Sequence, residues 1–206
     1  MRVDPMTLPI PRRFPVLALA LPLMLSVSGC ISLTPKPPKV LLTLTPVASL
    51  PPGSTQNSAT APTITIMVPV VPQSLATARI PVQTGDTIAY VTDVFWVEAP
   101  QRLFARLMSD TIAAKTGRVV LSSAQSFADP GAQLSGELRN FGVESATGEA
   151  VVTFDATLKR GDGGKFEKKR FEARVPVSPI AATTVGPALD KAANQVASDV
   201  ADWVGK

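Results

Sequence analysis

Few side chains in this sequence have reactive potential. Cys30 is the single cysteine among 206 residues, and histidine does not occur. Ser-His and Cys-His nucleophile pairs are therefore excluded, as is an intramolecular disulfide. A zinc site of the usual kind needs cysteine or histidine ligands and finds none beyond Cys30. Chemistry based on two carboxylates or on a Ser-Lys pair stays open. The run Gly161-Asp162-Gly163-Gly164 has the glycines of a phosphate cradle but lacks the following Lys-Ser/Thr and helix, so it reads as a turn. No cofactor motif stands out. Two candidates for recognition remain. Trp96 is of a residue type enriched at binding hot spots, although its place among β-prone residues before a helix favours the core. Lys159, Arg160, Lys165, Lys168, Lys169, Arg170 and Arg174 crowd one hairpin, against Asp162, Glu167 and Glu172. Of these cations, Lys165, Lys168, Lys169 and Arg170 are the candidate contacts, for anionic headgroups or an acidic partner. A solvated edge that blocks edge-to-edge pairing is the simpler reading.

Cys30 is the one reactive group with an informative setting. Residues 1–13 carry Arg2, Arg12 and Arg13 against Asp4, and residues 14–25 form an apolar run. Such a run is too short to span a bilayer as a helix, which takes about twenty residues. It suits the hydrophobic region of a secretory signal behind a positive segment, and Met6 would serve as a start as well as Met1. Val27 stands three places before Cys30, with the small residues Ser28 and Gly29 between. This resembles the lipobox of bacterial lipoproteins, whose cysteine thiol takes a diacylglyceryl group before the chain is cut, here between Gly29 and Cys30. Residues 1–29 are then a signal peptide, and the proline-rich residues 30–39 an extended tether. Removing the leader leaves 17 basic and 15 acidic side chains, so the high pI of the precursor is no argument for nucleic-acid binding. Ile31 occupies the position where an aspartate retains lipoproteins in the inner membrane of enteric bacteria. Its presence favours the outer membrane, with several acyl chains giving a firm anchor.

The remaining residues, 40–206, have room for one domain. Residues 40–45 are β-prone and stop at Pro46, and residues 51–62 form a Ser/Thr/Pro/Gly loop. Residues 63–70 alternate like a half-buried strand. Residues 79–82 are extended, Gly85-Asp86 marks a turn, and residues 87–91 and 94–97 read as a hairpin around Thr92-Asp93. From Pro100 the period becomes helical, with Leu103, Phe104, Leu107, Met108 and Ile112 on one side and Gly117 as the stop. After a strand at 118–122 come three longer strands. The first, 132–143, shifts its apolar set from Leu134-Gly136-Leu138 to Phe141-Val143, which predicts a bulge near Asn140. Residues 150–160 and 165–175 pair around the glycine turn. A last helix, capped by Thr183 or Thr184 with Pro187 in its first turn, carries the stripe Val185, Leu189, Ala192, Val196, Val200 and Trp203. The outline β-β-β-α-β-β-β-β-α predicts an α+β domain, a mainly antiparallel sheet with two helices on one face.

Three pieces, in order, resemble the ABC-type transport auxiliary lipoproteins, the PqiC/YmbA-like family. They are the strand at 40–45 ending in Pro46, the strand at 64–71 leading through Pro72 to Arg79-Ile80, and Trp96 ahead of the helix that starts at Pro100. The first strand lacks the tyrosines common in that family, and Val97 stands where a small residue is usual. The resemblance implies a non-enzymatic accessory lipoprotein of the outer membrane. Its partners would be a mammalian-cell-entry (MCE) domain protein of the periplasm with an ABC permease and ATPase, and its cargo system would move lipids or other hydrophobic molecules. A lipoprotein that activates or assembles cell-wall or outer-membrane machinery is the alternative. The oligomeric state stays open, a homo-oligomer included.

If Cys30 is the lipidated residue, Cys30→Ser leaves an unprocessed precursor, because only the thiol accepts the diacylglyceryl group. Mass spectrometry of the mature N-terminus checks this, and a free N-terminus beyond residue 30, or no acyl mass on Cys30, contradicts it.

Overall fold

A computed structural model of the chain describes residues 40–129, 131–161 and 164–205. Cys30, Gly29 and the tether lie outside the described residues. Four strands, β1 (Val40–Leu42), β2 (Thr63–Ile66), β3 (Arg79–Thr84) and β4 (Thr87–Trp96), precede helix α1 (Pro100–Thr116). Strands β5 (Val119–Leu121), β6 (Ala132–Glu144), β7 (Glu149–Lys159) and β8 (Phe166–Pro176) then lead to helix α2 (Ala182–Val204).

Strand β6 is the spine of an eight-stranded mixed sheet. On one side it pairs antiparallel with β7 along nearly its whole length, and β7 pairs antiparallel with β8. On the other side it meets two strands in succession, both parallel to it: β2 from Ile64↔Ala132 to Ile66↔Leu134, then β3 at Val82↔Val143. Strand β5 extends the sheet beyond β2, while β4 and then β1 extend it beyond β3. The long pairings are antiparallel, as the alternation at 132–176 predicts. The parallel ones join only two or three residues each, too few to leave a period in the sequence.

The predicted bulge is present. Leu138 faces Phe154 and Asn140 faces Thr153, so Arg139 is the extra residue. This shift keeps Leu134, Leu138, Phe141 and Val143 all on the helix side, where each is at most 3% exposed. Above them Phe104 of α1 meets Phe141 and Phe154 edge-on at 6.3 and 5.4 Å, and Trp96 tilts over Phe141 at 5.2 Å. Direct pairing of Phe154 with Phe171 puts β8 on the same side, where Trp203 of α2 packs on Phe171 at 5.5 Å. Both helices therefore cover one face. The α2 stripe is buried at Val185, Leu189, Ala192, Val196 and Val200, but it ends on Val204 and leaves Trp203 half-buried.

Several expectations are corrected. Four strands, not three, precede α1. Residues 87–96 form one strand rather than a hairpin, and the turn lies at Gly85-Asp86, where Gly85 supplies a φ of 56°. The turn signal at Thr92-Asp93 is expressed as a bulge. Between Arg79↔Phe95 and Pro81↔Tyr90 only Ile80 faces residues 91–94, and Asp93 adopts a φ of 58°. Strand β1 ends at Leu42 because α2 takes over the following backbone. Asp190 accepts the Thr45 N–H at 2.8 Å, and Asn194 accepts that of Val47 at 2.8 Å while donating to the Thr45 carbonyl at 3.0 Å. Helix α2 begins at Ala182, so Pro187 lies inside it, on the exposed side. Thr184 serves from within the first turn, accepting the Ala181 N–H at 3.2 Å.

Trp203→Ala should lower stability by about 1.5–3 kcal/mol, less than the roughly 3–5 kcal/mol of a fully buried tryptophan. Denaturant melts check this, and an unchanged midpoint would show that the Phe171 contact adds nothing to the fold.

Candidate functional site

The two faces of the β6–β7–β8 sheet follow from register, since directly opposed residues share a side. Ala156↔Lys169, Phe154↔Phe171 and Val152↔Ala173 lie under the helices. Lys159↔Phe166, Thr157↔Lys168, Asp155↔Arg170 and Thr153↔Glu172 lie on the helix-free side. Hence the seven hairpin cations separate by parity, and most are already engaged.

Arg170 grips Asp155 with two hydrogen bonds, Nε at 2.6 Å and Nη2 at 2.7 Å, the bidentate geometry that makes arginine–carboxylate pairs strong. Arg139 approaches the same carboxylate at 3.4 Å and Glu137 at 3.6 Å. Arg174 draws in Glu144 at 2.6 Å, Glu172 at 2.7 Å and Glu149 at 3.3 Å, and Thr153 donates to Glu172 at 2.9 Å. The Arg170 hydrogen bonds hold the Asp155 carboxyl below its ordinary range, and the Arg174 hydrogen bond does the same for Glu172. The helix-free face is thus a lattice of compensated charge.

Arg160 has a structural task that the sequence reading did not assign. Its guanidinium donates to the Trp203 and Val204 carbonyls at 3.1 and 3.2 Å, and to Glu167 at 2.7 Å. A cation there satisfies the open carbonyls of the α2 C-terminus and complements the helix dipole. Lys169 lies on the helix side, its Nζ 4.8 Å from the Phe171 ring centre. Lys159, Lys165 and Lys168 form no ion pair with any described residue. Beside them Phe166 is 64% exposed. Sequence reasoning passed over Phe166, although its parity with Lys168 and Arg170 places it opposite the buried Phe171.

Of the two readings of Trp96, the core describes its place: it is 2% exposed and presents no surface to a partner. The open Ser-Lys possibility reduces to Lys115 and Ser198, 2.7 Å apart. That ammonium also binds Asp202 at 2.8 Å and the Ser198 carbonyl at 3.3 Å, which makes it a tie between the C-terminal turns of the two helices. Among the described residues no group of three or more His, Cys, Asp or Glu side chains could hold a metal ion. A cavity of about 80 Å³ opens on the helix-free face among Leu75, Pro81, Ile88, Asn140, Val151 and Arg174. Small-molecule sites occupy roughly 300–1,000 Å³, so this one has room for little more than a side chain. No helix among the described residues is long and apolar enough to cross a membrane.

The sequence profile described as "ABC-type transport auxiliary lipoprotein component" matches residues 42–201, which takes in α1, all strands except the start of β1, and α2 up to its last three residues. No curated protein matches the chain by sequence. A crystal structure described only as an uncharacterized protein superposes with a TM-score of 0.64 at 12% identity, over 82% of this chain and 99% of that one. A Xanthomonas campestris protein of the DUF330 family also gives 0.64, at 15% identity over 80% of this chain and 94% of that one. At these identities the likeness is one of fold. The PelC dodecamer of Paraburkholderia phytofirmans reaches a TM-score of only 0.40, at 13% identity over 67% of this chain and 86% of that one.

The Asp155–Arg170 pair predicts an acid-sensitive fold. A carboxyl held low in the native state stabilises it above the unfolded carboxyl range, and that contribution fades as pH falls through the native value. Denaturation midpoints should therefore drop below about pH 4, and Asp155→Asn should lower the midpoint at pH 7 while flattening the acid limb. A limb of unchanged steepness in the variant would assign the acid sensitivity to other carboxylates.

Proposed function

The chain belongs to the family of ABC-type transport auxiliary lipoprotein components, and from that membership we propose that it is a non-catalytic accessory subunit of a transporter for lipids or other hydrophobic compounds. It is anchored through Cys30 on the periplasmic face of the outer membrane, and its partner is an MCE-domain periplasmic protein working with an ABC permease and ATPase. The observation that carries this reading is the family match across 42–201, joined to the lipobox at Val27–Cys30.

A tether gives such a subunit physical leverage. Ten residue steps lead from Cys30 to Val40 and reach at most about 35 Å. Confinement to that layer raises the effective concentration of the domain for a partner spanning the periplasm, so modest intrinsic affinity yields a stable assembly.

Affinity purification of the tagged lipoprotein from solubilised envelopes, followed by mass spectrometry, should recover an MCE-domain protein. Consistent enrichment of peptidoglycan synthases or assembly factors without any transporter component would contradict the proposal.

A further inference from the structure

On the helix-free face, one corner differs from the compensated lattice around it. Lys159 and Phe166 are direct cross-strand partners, and Lys168 opposes Thr157, which in turn opposes Ser135 of β6. An aromatic ring that is 64% exposed therefore stands directly across from Lys159 and two residues along β8 from Lys168. Lys165 adds a third cation beside them. Further along the same strand Arg170 and Arg174 are closed by four carboxylates, whereas these lysines meet none among the described residues. Lysines alone are accounted for as guards of the unpaired β8 edge. A phenylalanine in water on the same corner is not, because it invites the association that guard lysines oppose.

Placement narrows what the corner can meet. Where the chain enters from the tether, β1 sits at the far edge of the order β1-β4-β3-β6, with β7 and β8 beyond β6. Five strand spacings, about 24 Å, separate β1 from β8. Val40 faces Val94, which register through β3 places near residue 141 of β6, while Lys159 faces Gln133. That is a further seven or eight residues, about 25 Å along the strand. The basic corner and Val40 thus occupy diagonally opposite corners of the sheet, roughly 35 Å apart by these spacings. Val40, the point at which the proposed anchor joins the domain, lies at the other corner, which favours a protein as the occupant over the anchoring lipid surface.

We propose that the corner formed by Lys159, Lys165, Phe166 and Lys168 docks on an acidic protein surface of the transport partner, with the Phe166 ring seated in an apolar recess of that surface. This rests on the proposed function for the identity of the partner. The ring provides a central anchor of the kind that dominates interface energetics. The lysines at its rim steer encounter and make association salt-dependent.

Full-length lipidated protein in detergent micelles is tested for binding to the purified MCE-domain protein from low to high salt. The expected result is wild-type binding that weakens with salt, a loss on the order of tenfold for Phe166→Ala at every salt concentration, and a comparable loss at low salt for Lys159→Glu with Lys168→Glu. Lys191→Glu, on the exposed side of α2, should bind as the wild type does. Lys165→Glu alone, at a fully exposed position, serves if the double variant melts early. Wild-type binding that none of the corner variants alters would overturn this docking surface while leaving the proposed function in place. Absence of wild-type binding would remove both. Binding of phosphatidylglycerol vesicles that disappears in the same variants would make the occupant a lipid surface and overturn the proposal.

Discussion

Between Leu138 and Asn140 the pairing of β6 with β7 slips by one residue, and the rest of the domain depends on that slip. A 13-residue strand with strict alternation would turn Phe141 and Val143 to the helix-free side if Leu134 and Leu138 faced the helices. The extra residue, Arg139, restores the parity, so both halves of β6 serve one core. Trp96, Phe104, Phe141 and Phe154 can then meet in a single aromatic cluster under α1. Gly136 and Gly142 answer the same demand for closeness. A Cβ on Gly136 would collide with the Phe154 ring and the Asp155 carbonyl, and one on Gly142 with Pro81.

Because the spine is continuous, charge on the other face is ordered along it. Near the middle, arginines and carboxylates neutralise one another across β6, β7 and β8, producing a polar surface. At the hairpin end the compensation stops and an aromatic ring emerges. At the opposite corner the chain arrives from the tether, and Asp190 and Asn194 bind the backbone at Thr45 and Val47 directly to α2. Pull on the anchor is therefore transmitted into the helix layer as well as into β1. The proposed role, a link between a membrane and a partner, is served by two well-separated points of attachment on one continuous sheet.

What was legible in the sequence was local. Period two at 132–176, the shift near Asn140, Pro100 and Gly117 at the ends of α1, and the burial stripe of α2 all arise from neighbours within a few residues, and all appear in the structure. Strands β2 and β5 were legible at 63–70 and 118–122, but their parallel pairings join segments more than fifty positions apart, so no short-range pattern reports those pairings. Arg160 looked like one cation among seven because its partners, the last carbonyls of α2, lie 43 and 44 positions away. The hairpin expected at Thr92-Asp93 was a correct reading of turn chemistry, but the fold accommodates it as a bulge within β4. Phe166 could have been found by carrying the parity of Phe171 back along β8.

Val40 and the basic corner lie far apart on the sheet, and that separation is open to direct measurement. With Cys30 acylated as proposed, no free thiol remains on it, and a single introduced cysteine accepts a dye without competition. Lipidated Lys165→Cys and Val97→Cys proteins, the latter labelled beside β1, would be placed in bilayer nanodiscs carrying an acceptor on the lipid headgroups, with the MCE-domain partner bound. The account predicts strong energy transfer from position 97 and much weaker transfer from position 165. Equal transfer from the two sites, or stronger transfer from 165, would place the basic corner against the membrane and contradict it.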